Sequence, residues 1–471
     1  MIKHRAILIV LALVIAPHVY GQDFGFESAW KELSASDRED VIRFGEGFKE
    51  FIGRTRSHQQ FVRNSVELAK ARGFREWNGA IGRRDLTPGS KWYAVNRDRT
   101  VVFFVIGTEP VERGMRIVNT HIDSPRLEPK TRPLRAKNGV ILIDTMVAGG
   151  IKNYQWVNIP LAMTGRVDKA DGETVWIEVG IDPNDPVLLI TDLAPHVDKD
   201  YRTRDQRDAI KTEELDPIVA ASSEDGSTAM IDGFLRILES RYGISGEDLL
   251  SAEIQIVPAT PARDIGLDRT LIGAYGQDDR ASAWVSLEAI FGVETPRFTS
   301  VAYAVNNEEG GRSWNTGVRS DWFTTLISEV IAAQKGSFDE LALRRSFART
   351  QVLVSDCTTA LNPLFPGPQN DAITSKLGYG MVVKEYGVAR EANSEFFARL
   401  RRILDEAGVR WQTHSYDSGY GGSTIAAAFA ELNMDVIDVG IGIVSMHSPY
   451  EVSSKVDLWE LNRGFAAFYA Q

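Results

Sequence analysis

From about residue 263 to the C-terminus, short apolar runs alternate with amphipathic stretches, and this alternation restricts the chain to few architectures. Ser282 to Phe291 reads as helix, Ser300 to Val305 as strand, Trp322 to Ala333 as helix and Gln351 to Val354 as strand. Ser394 to Leu404 then reads as helix, Val436 to Val444 as strand and Val456 to Tyr469 as a closing helix. Strands and helices in alternation predict an α/β fold with a doubly wound, mainly parallel sheet. Ligands in such folds sit outside the carboxyl ends of the strands. The residues that terminate each apolar run are therefore the ones that can carry chemistry.

Upstream, Ser36-Asp37-Arg38-Glu39 has capping-box spacing and opens a helix carrying Val41, Phe44, Phe48, Phe51 and Ile52. A second helix runs from about Ser57 to Gly73. Trp92 to Val95 and Val101 to Ile106 flank Asn96-Arg97-Asp98-Arg99 and read as a β-hairpin. The strand Arg116 to Asn119 runs directly into Thr120-His121-Ile122-Asp123. Between about Leu127 and Ala262 the texture changes to short β runs: Val140 to Ile143, Leu161 to Val167, Val175 to Ile181 and Val187 to Ile190. The expected organisation is an α/β unit formed by residues 22–126 and 263–471, with residues 127–262 inserted as a β-rich domain.

The first 21 residues read as a secretory signal. Lys3, His4 and Arg5 precede the apolar run Ala6 to Ala16, and Val19-Tyr20-Gly21 offers a small-residue cleavage site. That run is too short to span a bilayer, so the expected location is periplasmic or secreted, with no membrane attachment after cleavage. A net charge of −11 argues against a nucleic-acid partner, because phosphate binding needs clustered Lys and Arg. The short basic run from Lys130 to Lys137 reads as a solvated loop. Cys357 is the single cysteine, so no disulfide forms within the chain, and it reads as a small buried residue.

Four polar positions fall at strand ends: His121, the pair Glu308 and Glu309, Asp356, and His447. Asp278 sits just before a helix, where loop carboxylates face the same crevice. Two histidines and three acids suit a pair of zinc or similar divalent ions joined by a bridging carboxylate. Adjacent glutamates at the end of a strand point to opposite sides, so one can bind metal while its neighbour moves protons. Asp123, two residues beyond His121, can accept a hydrogen bond from the far ring nitrogen. His58, His196 and His414 lack such company and read as structural. No Gly-x-Ser-x-Gly elbow is present. Gly419 to Thr424 is glycine-rich but lacks phosphate-loop and dinucleotide spacing.

Taken together, these motifs resemble the aspartyl aminopeptidase and aminopeptidase I family of dinuclear zinc metallopeptidases. The similarity runs from about residue 40 to the end. It rests on Thr120 to Leu127, Asp278 with Ser282 and Leu287-Glu288-Ala289, Asn307-Glu308-Glu309, Ser355-Asp356, Gly422 to Ile425 and Ser445 to Ser448. Gly149 to Trp156 looks closest to a bacterial branch. The resemblance implies that His121 and His447 bind different metals, Asp278 bridges them, and Glu309 and Asp356 complete the two spheres. It implies further that Glu308 is the general base, Asp123 orients His121, and Lys384 lies in the substrate pocket. The inserted domain would mediate dimerisation, with dimers assembling into a dodecamer. Asn306 stands where the family usually has Asp, and Gly310-Gly311-Arg312 follows where it has a small apolar residue, Gly and Ser.

The implied activity is removal of the N-terminal residue from unblocked peptides, with zinc the expected metal and cobalt or manganese as alternatives. Two other readings stay open at this stage. One is a carboxypeptidase or amide deacylase using the same metal pair; the other is a non-catalytic peptide-binding assembly protein.

Overall fold

The computed structural model describes residues 25–79, 82–221, 226–310, 314–365, 367, 369–384, 393–416, 422 and 424–471. The expected leader, Gly311, Arg312 and all but Gly422 and Thr424 of the glycine-rich stretch lie outside the described residues. No helix among the described residues is long and apolar enough to cross a membrane.

Strand side chains alternate between two faces, and here both faces are apolar, so the main sheet must be covered on both sides. In chain order its strands are β1 (Arg75–Glu76), β2 (Lys91–Asn96), β3 (Thr100–Val105), β4 (Met115–His121), β5 (Thr299–Val305), β6 (Gln351–Ser355), β7 (Met381–Lys384), β8 (Trp411–His414) and β9 (Asp435–Gly440). Across the sheet they run β1-β2-β3-β5-β4-β6-β9-β7-β8. On β5, Ala302 and Ala304 face a core that includes Phe48, Phe61, Trp284, Phe396 and Phe465 from five helices. Val301, Tyr303 and Val305 face a second core with Phe323, Phe347 and Phe429. Each large side chain fully withdrawn from water contributes roughly 1.5–3 kcal/mol, so the helix–sheet–helix layering follows from the apolar strands.

The sheet is mixed. β5, β4, β6 and β9 are mutually parallel, as are β1–β2 and β7–β8, whereas β2–β3, β3–β5 and β9–β7 are antiparallel. The expected hairpin is β2–β3, and its turn places Arg97 and Asp98 in the left-handed region, as a tight hairpin turn requires.

Local expectations are corrected in several places. The first helix, Ala35–Gly53, is capped by Ser34, not Ser36: its side chain accepts from Asp37 N–H, and Asp37 returns the bond to the Ser34 amide. The basic run from Lys130 is not a loop. It lies in the strand Arg126–Lys137, paired antiparallel with Val140–Ala148 around an irregularity between Pro129 and Leu134. Lys130, Arg132 and Lys137 are indeed solvated; Lys137 pairs with Val140, whereas Lys130 and Arg132 lie in the irregularity between Pro129 and Leu134. Val436 to Val444 is broken after Gly440, and only Gly442–Ile443 continues as a short strand. Helix Glu340–Phe347 and strands β7 and β8 were not foreseen, being too short for periodicity to reveal.

A second, seven-stranded sheet draws its strands from Arg126–Lys137, Val140–Ala148, Pro160–Asp168, Thr174–Val179, Leu188–Leu189, Ile218–Ala221 and Ala252–Pro258. Helix Ser227–Tyr242, which the β-rich reading did not include, packs Phe234 and Leu238 with Ile141. A small three-stranded sheet joins Arg263–Ile265, Leu271–Ala274 and Glu451–Ser454.

Candidate metal centre

Parallel pairing aligns the carboxyl ends of β5, β4 and β6, so residues that follow or end these strands converge. Val305 lies level with His121, the last residue of β4. Beyond β5 the chain turns through Asn307, at φ 66°, into Glu308 and Glu309. Asp356 follows β6 directly. His447 arrives from the loop after Gly442–Ile443, with Ser445 and His447 at φ 61° and 63°. Asp278 opens the helix Gln277–Phe291, where it and Asp279 depart from helical geometry.

All five expected ligands meet. His121 Nε2 lies 3.3 Å from Asp278 Oδ1 and 3.5 Å from Asp356 Oδ1. His447 Nε2 lies 3.3 Å from Asp278 Oδ2 and 3.0 Å from Glu309 Oε1. Asp278 thus shows one oxygen to each histidine. Carboxylate oxygens of Glu308 and Glu309 lie within 4.8 Å of each other and of His121.

The donor set fits divalent cations. His121 Nδ1 faces the Asp123 carbonyl at 3.0 Å, and His447 Nδ1 faces the Gly150 carbonyl at 3.0 Å. A carbonyl only accepts, so each Nδ1 carries hydrogen, and each Nε2, once its own proton gives way to a cation, turns a lone pair toward the carboxylates. Lone pairs facing carboxylate oxygens at 3.0–3.5 Å repel unless a cation lies between them. Asp278 Oδ1 and Glu309 Oε1 are buried and receive no hydrogen bond. Protonation tendencies reflect the same crowding. Burial opposes charge on His447, yet Asp278 and Glu309 push its pKa up to about 11. Burial likewise opposes charge on His121, but Asp123, Asp278 and Asp356 hold it well above the usual histidine range. Burial raises Glu309. Asp278 is held far below the carboxylate range because the two histidines outweigh its burial.

Asp123 serves differently from the expectation. Its carbonyl, not its carboxylate, bonds His121, the nearer carboxylate oxygen being 3.6 Å away. The carboxylate instead accepts the backbone N–H of Glu308 at 3.0 Å and of Glu309 at 3.2 Å. Burial would raise its pKa, but His121, Arg126 and the Glu308 amide hold it well below the usual range.

Lys384 ends β7 with its side chain wholly buried. Its ammonium lies 3.3 Å from Asp356 Oδ2 and donates to the Cys357 carbonyl at 3.0 Å. Cys357 is buried, as expected, and burial followed by the surrounding acids raises its thiol pKa well above normal. His58 and His414 are also buried, consistent with structural roles, and pair with Gln255 and Ser375. A cleft of about 1050 Å³ opens beside Glu309, bordered by Arg97, Arg126, Met146 and Trp314.

Two neighbours escaped sequence reasoning. Asp279 is buried and groups with His121 and Asp356; its adjacency to Asp278 was the available signal. Glu451, four residues after His447, lies behind both loops, and only the fold brings it there.

A family profile described as aminopeptidase I zinc metalloprotease (M18) matches residues 51–469. A probable M18 family aminopeptidase 1 of Clostridium acetobutylicum is 36% identical over 462 residues, covering 94% of this chain and 98% of its own. The Thermotoga maritima counterpart is 36% identical over 435 residues, covering 90% and 94%. Crystal structures of the T. maritima and C. acetobutylicum proteins each superpose with a TM-score of 0.87 at 34% identity, covering 94% and 95% of this chain and 98% and 99% of theirs. The chain belongs to the M18 aminopeptidase I family of zinc metalloproteases. It is a metallo-aminopeptidase with a mixed α/β fold of that family.

Proposed function

We propose that the chain is an exported aminopeptidase that releases the N-terminal residue of unblocked peptides at a two-ion centre, with Glu308 as general base. The observation that carries this reading is Asp278, whose two oxygens each face a different histidine, with Glu308 close by. His121 and Asp356 would hold one ion, His447 and Glu309 the other, and Asp278 both. Two divalent ions, zinc first and cobalt or manganese as substitutes, supply Lewis acidity toward the scissile carbonyl and acidify water. Glu308 accepts the proton of the attacking water and passes it to the leaving amine. Asp123 fixes the turn that presents Glu308 and Glu309. Lys384 is assigned to the substrate side of Asp356; Lys384→Met should change the ratio of rates on acidic and neutral N-termini.

We further propose a doubly wound catalytic domain of residues 22–126 and 263–471, with residues 127–262 an inserted dimerisation domain. Exposed apolar side chains at Val187, Leu193 and Val197 support a protein partner on that block, here a second copy. The chain would form a homodimer or homododecamer, and residues 1–21 would direct export to the periplasm or beyond.

The test is release of N-terminal residues from peptides beginning with Leu, Asp, Glu or Lys, free and acetylated, with zinc or cobalt and with chelator. Metal-dependent release from free amines alone is the expected result. Release from acetylated peptides would favour a deacylase instead. Glu308→Gln should lower kcat by about 10²–10⁴ while leaving metal content unchanged; a variant retaining most of its rate would remove Glu308 from the role.

A further inference from the structure

Asp278 and His447 come from loops 169 residues apart in sequence, and one side chain reaches the backbone of both. Asp278 sits at φ −80°, ψ 108°, inside a segment otherwise helical, and Ser445 and His447 both occupy left-handed backbone. Left-handed backbone at residues other than glycine persists where its surroundings over-determine it, and the extended Asp278 is fixed by hydrogen bonds from outside its helix. The two loops share one such determinant.

Glu451 begins the strand Glu451–Ser454, level with Ala274 on the antiparallel strand Leu271–Ala274. It is 1% exposed. Its Oε2 accepts the backbone N–H of Gln277 at 2.6 Å and of Asp278 at 3.2 Å, and its Oε1 accepts that of His447 at 2.8 Å. The Gln277 side chain completes the tie, donating to the Glu451 carbonyl at 2.6 Å and the Ile272 carbonyl at 3.0 Å. Among the described residues no lysine or arginine pairs with Glu451. Burial and the neighbouring Asp278 raise the Glu451 pKa, so holding a carboxylate here, with backbone amides in place of a counter-charge, costs free energy. Simple packing would be served better by a neutral side chain of the same shape.

We infer that Glu451 is a positioning residue that clamps Asp278 and His447 into register, fixing two ligands of one cation and one of the other. The inference rests on the two-ion reading above. Each carboxylate oxygen serves one loop, so the clamp needs acceptors at both ends. A glutamine fills the same volume but has a single oxygen and turns an NH₂ toward one set of N–H donors. The ion held by His447 and Glu309 should feel the loss most. The ion at His121 and Asp356 should feel it least, because those ligands are held by β4, β6, the Asp123 carbonyl and Lys384.

The experiment is a zinc titration of metal-stripped protein against a chromophoric chelator, with elemental analysis after dialysis, on wild type, Glu451→Gln, His447→Ala and the double variant. Wild type should bind two ions. Glu451→Gln should bind one with near wild-type affinity and the other about 10–100-fold more weakly. Its lost activity should return with excess zinc at an unchanged KM for peptide. In the His447→Ala background, Glu451→Gln should have no further effect on the remaining ion. Should Glu451→Gln not fold, Glu451→Asp, too short to reach both loops, takes its place in the same titration. Two unchanged affinities, or equal loss of both ions from a folded variant, would overturn the inference. A wild type that binds fewer than two ions would sink the two-ion reading itself.

Discussion

At the scale of single residues, Asp123 shows how one side chain can divide its work. Its carbonyl sets the ring of His121, while its carboxylate gathers the amides of Glu308 and Glu309. Asp123→Asn leaves the carbonyl in place but exchanges one acceptor for a donor against an N–H. We expect metal affinity to fall about 10–100-fold, as for other outer partners of metal ligands, and kcat to fall as the Glu308 turn loosens. Isothermal titration with zinc and steady-state kinetics check this; unchanged kcat would mean that the turn holds without the carboxylate. A glycine offers a second test. Gly440 has φ 156°, and a Cβ there would run into the carbonyl oxygen of Asp356. Gly440→Ala should therefore displace the Asp356 backbone from the neighbouring strand, lowering zinc affinity while leaving far-UV circular dichroism near that of wild type.

Between elements, charge clusters fasten helices to the small sheet. Asp264 accepts from Lys49 of helix Ala35–Gly53 at 2.8 Å and lies 2.9 Å from the buried ammonium of Lys455, at the start of helix Lys455–Tyr469. Arg269 also pairs with it at 2.7 Å. Burial raises the pKa of Asp264, but these three cations hold it below its ordinary value. Its folded value is thus depressed relative to the unfolded chain, near 3.9. The stabilisation is complete above about pH 4–5 and fades as pH falls through the folded value. Asp264→Asn should destabilise by about 2–4 kcal/mol at pH 7, since it strips one partner from a buried cation, and the gap to wild type should narrow toward pH 3. A gap that does not vary with pH in denaturant melts would show that the carboxylate charge contributes nothing.

At the scale of the whole molecule, the two large sheets meet at the metal centre. Gly150, from the segment that builds the seven-stranded sheet, supplies the carbonyl facing His447, whose other partners come from the main sheet's side. Cations bound only by the folded protein stabilise it by mass action, about 2.7 kcal/mol at a hundredfold excess over Kd. Chelation should therefore lower Tm, and zinc should restore it; a Tm indifferent to chelator would count against a metal centre that spans both regions. Exposed Leu193 and Val197 lie on the same block as Gly150. Changing both to Asp should lower the mass of the proposed oligomer in light scattering while leaving the monomer folded.

The α/β class and the polar residues at strand ends were legible in the chain because they depend on local periodicity and residue type. Apolar runs such as Ser300 to Val305 must be buried, and a parallel sheet brings their ends together whatever the loops do. The strand ends carrying His121, Glu308, Glu309 and Asp356 could thus be expected to converge, whereas Asp278 and His447 arrive from outside the main parallel strands. The tertiary structure alone decided what depends on approach from elsewhere in the chain. It routed the mixed strand order and turned the Asp123 carboxylate to the Glu308 amide. It also placed Glu451 behind two distant loops and the Gly150 carbonyl against His447. Hydrogen bonds between segments hundreds of residues apart have no period and no spacing, so they leave no local pattern for sequence reading to find.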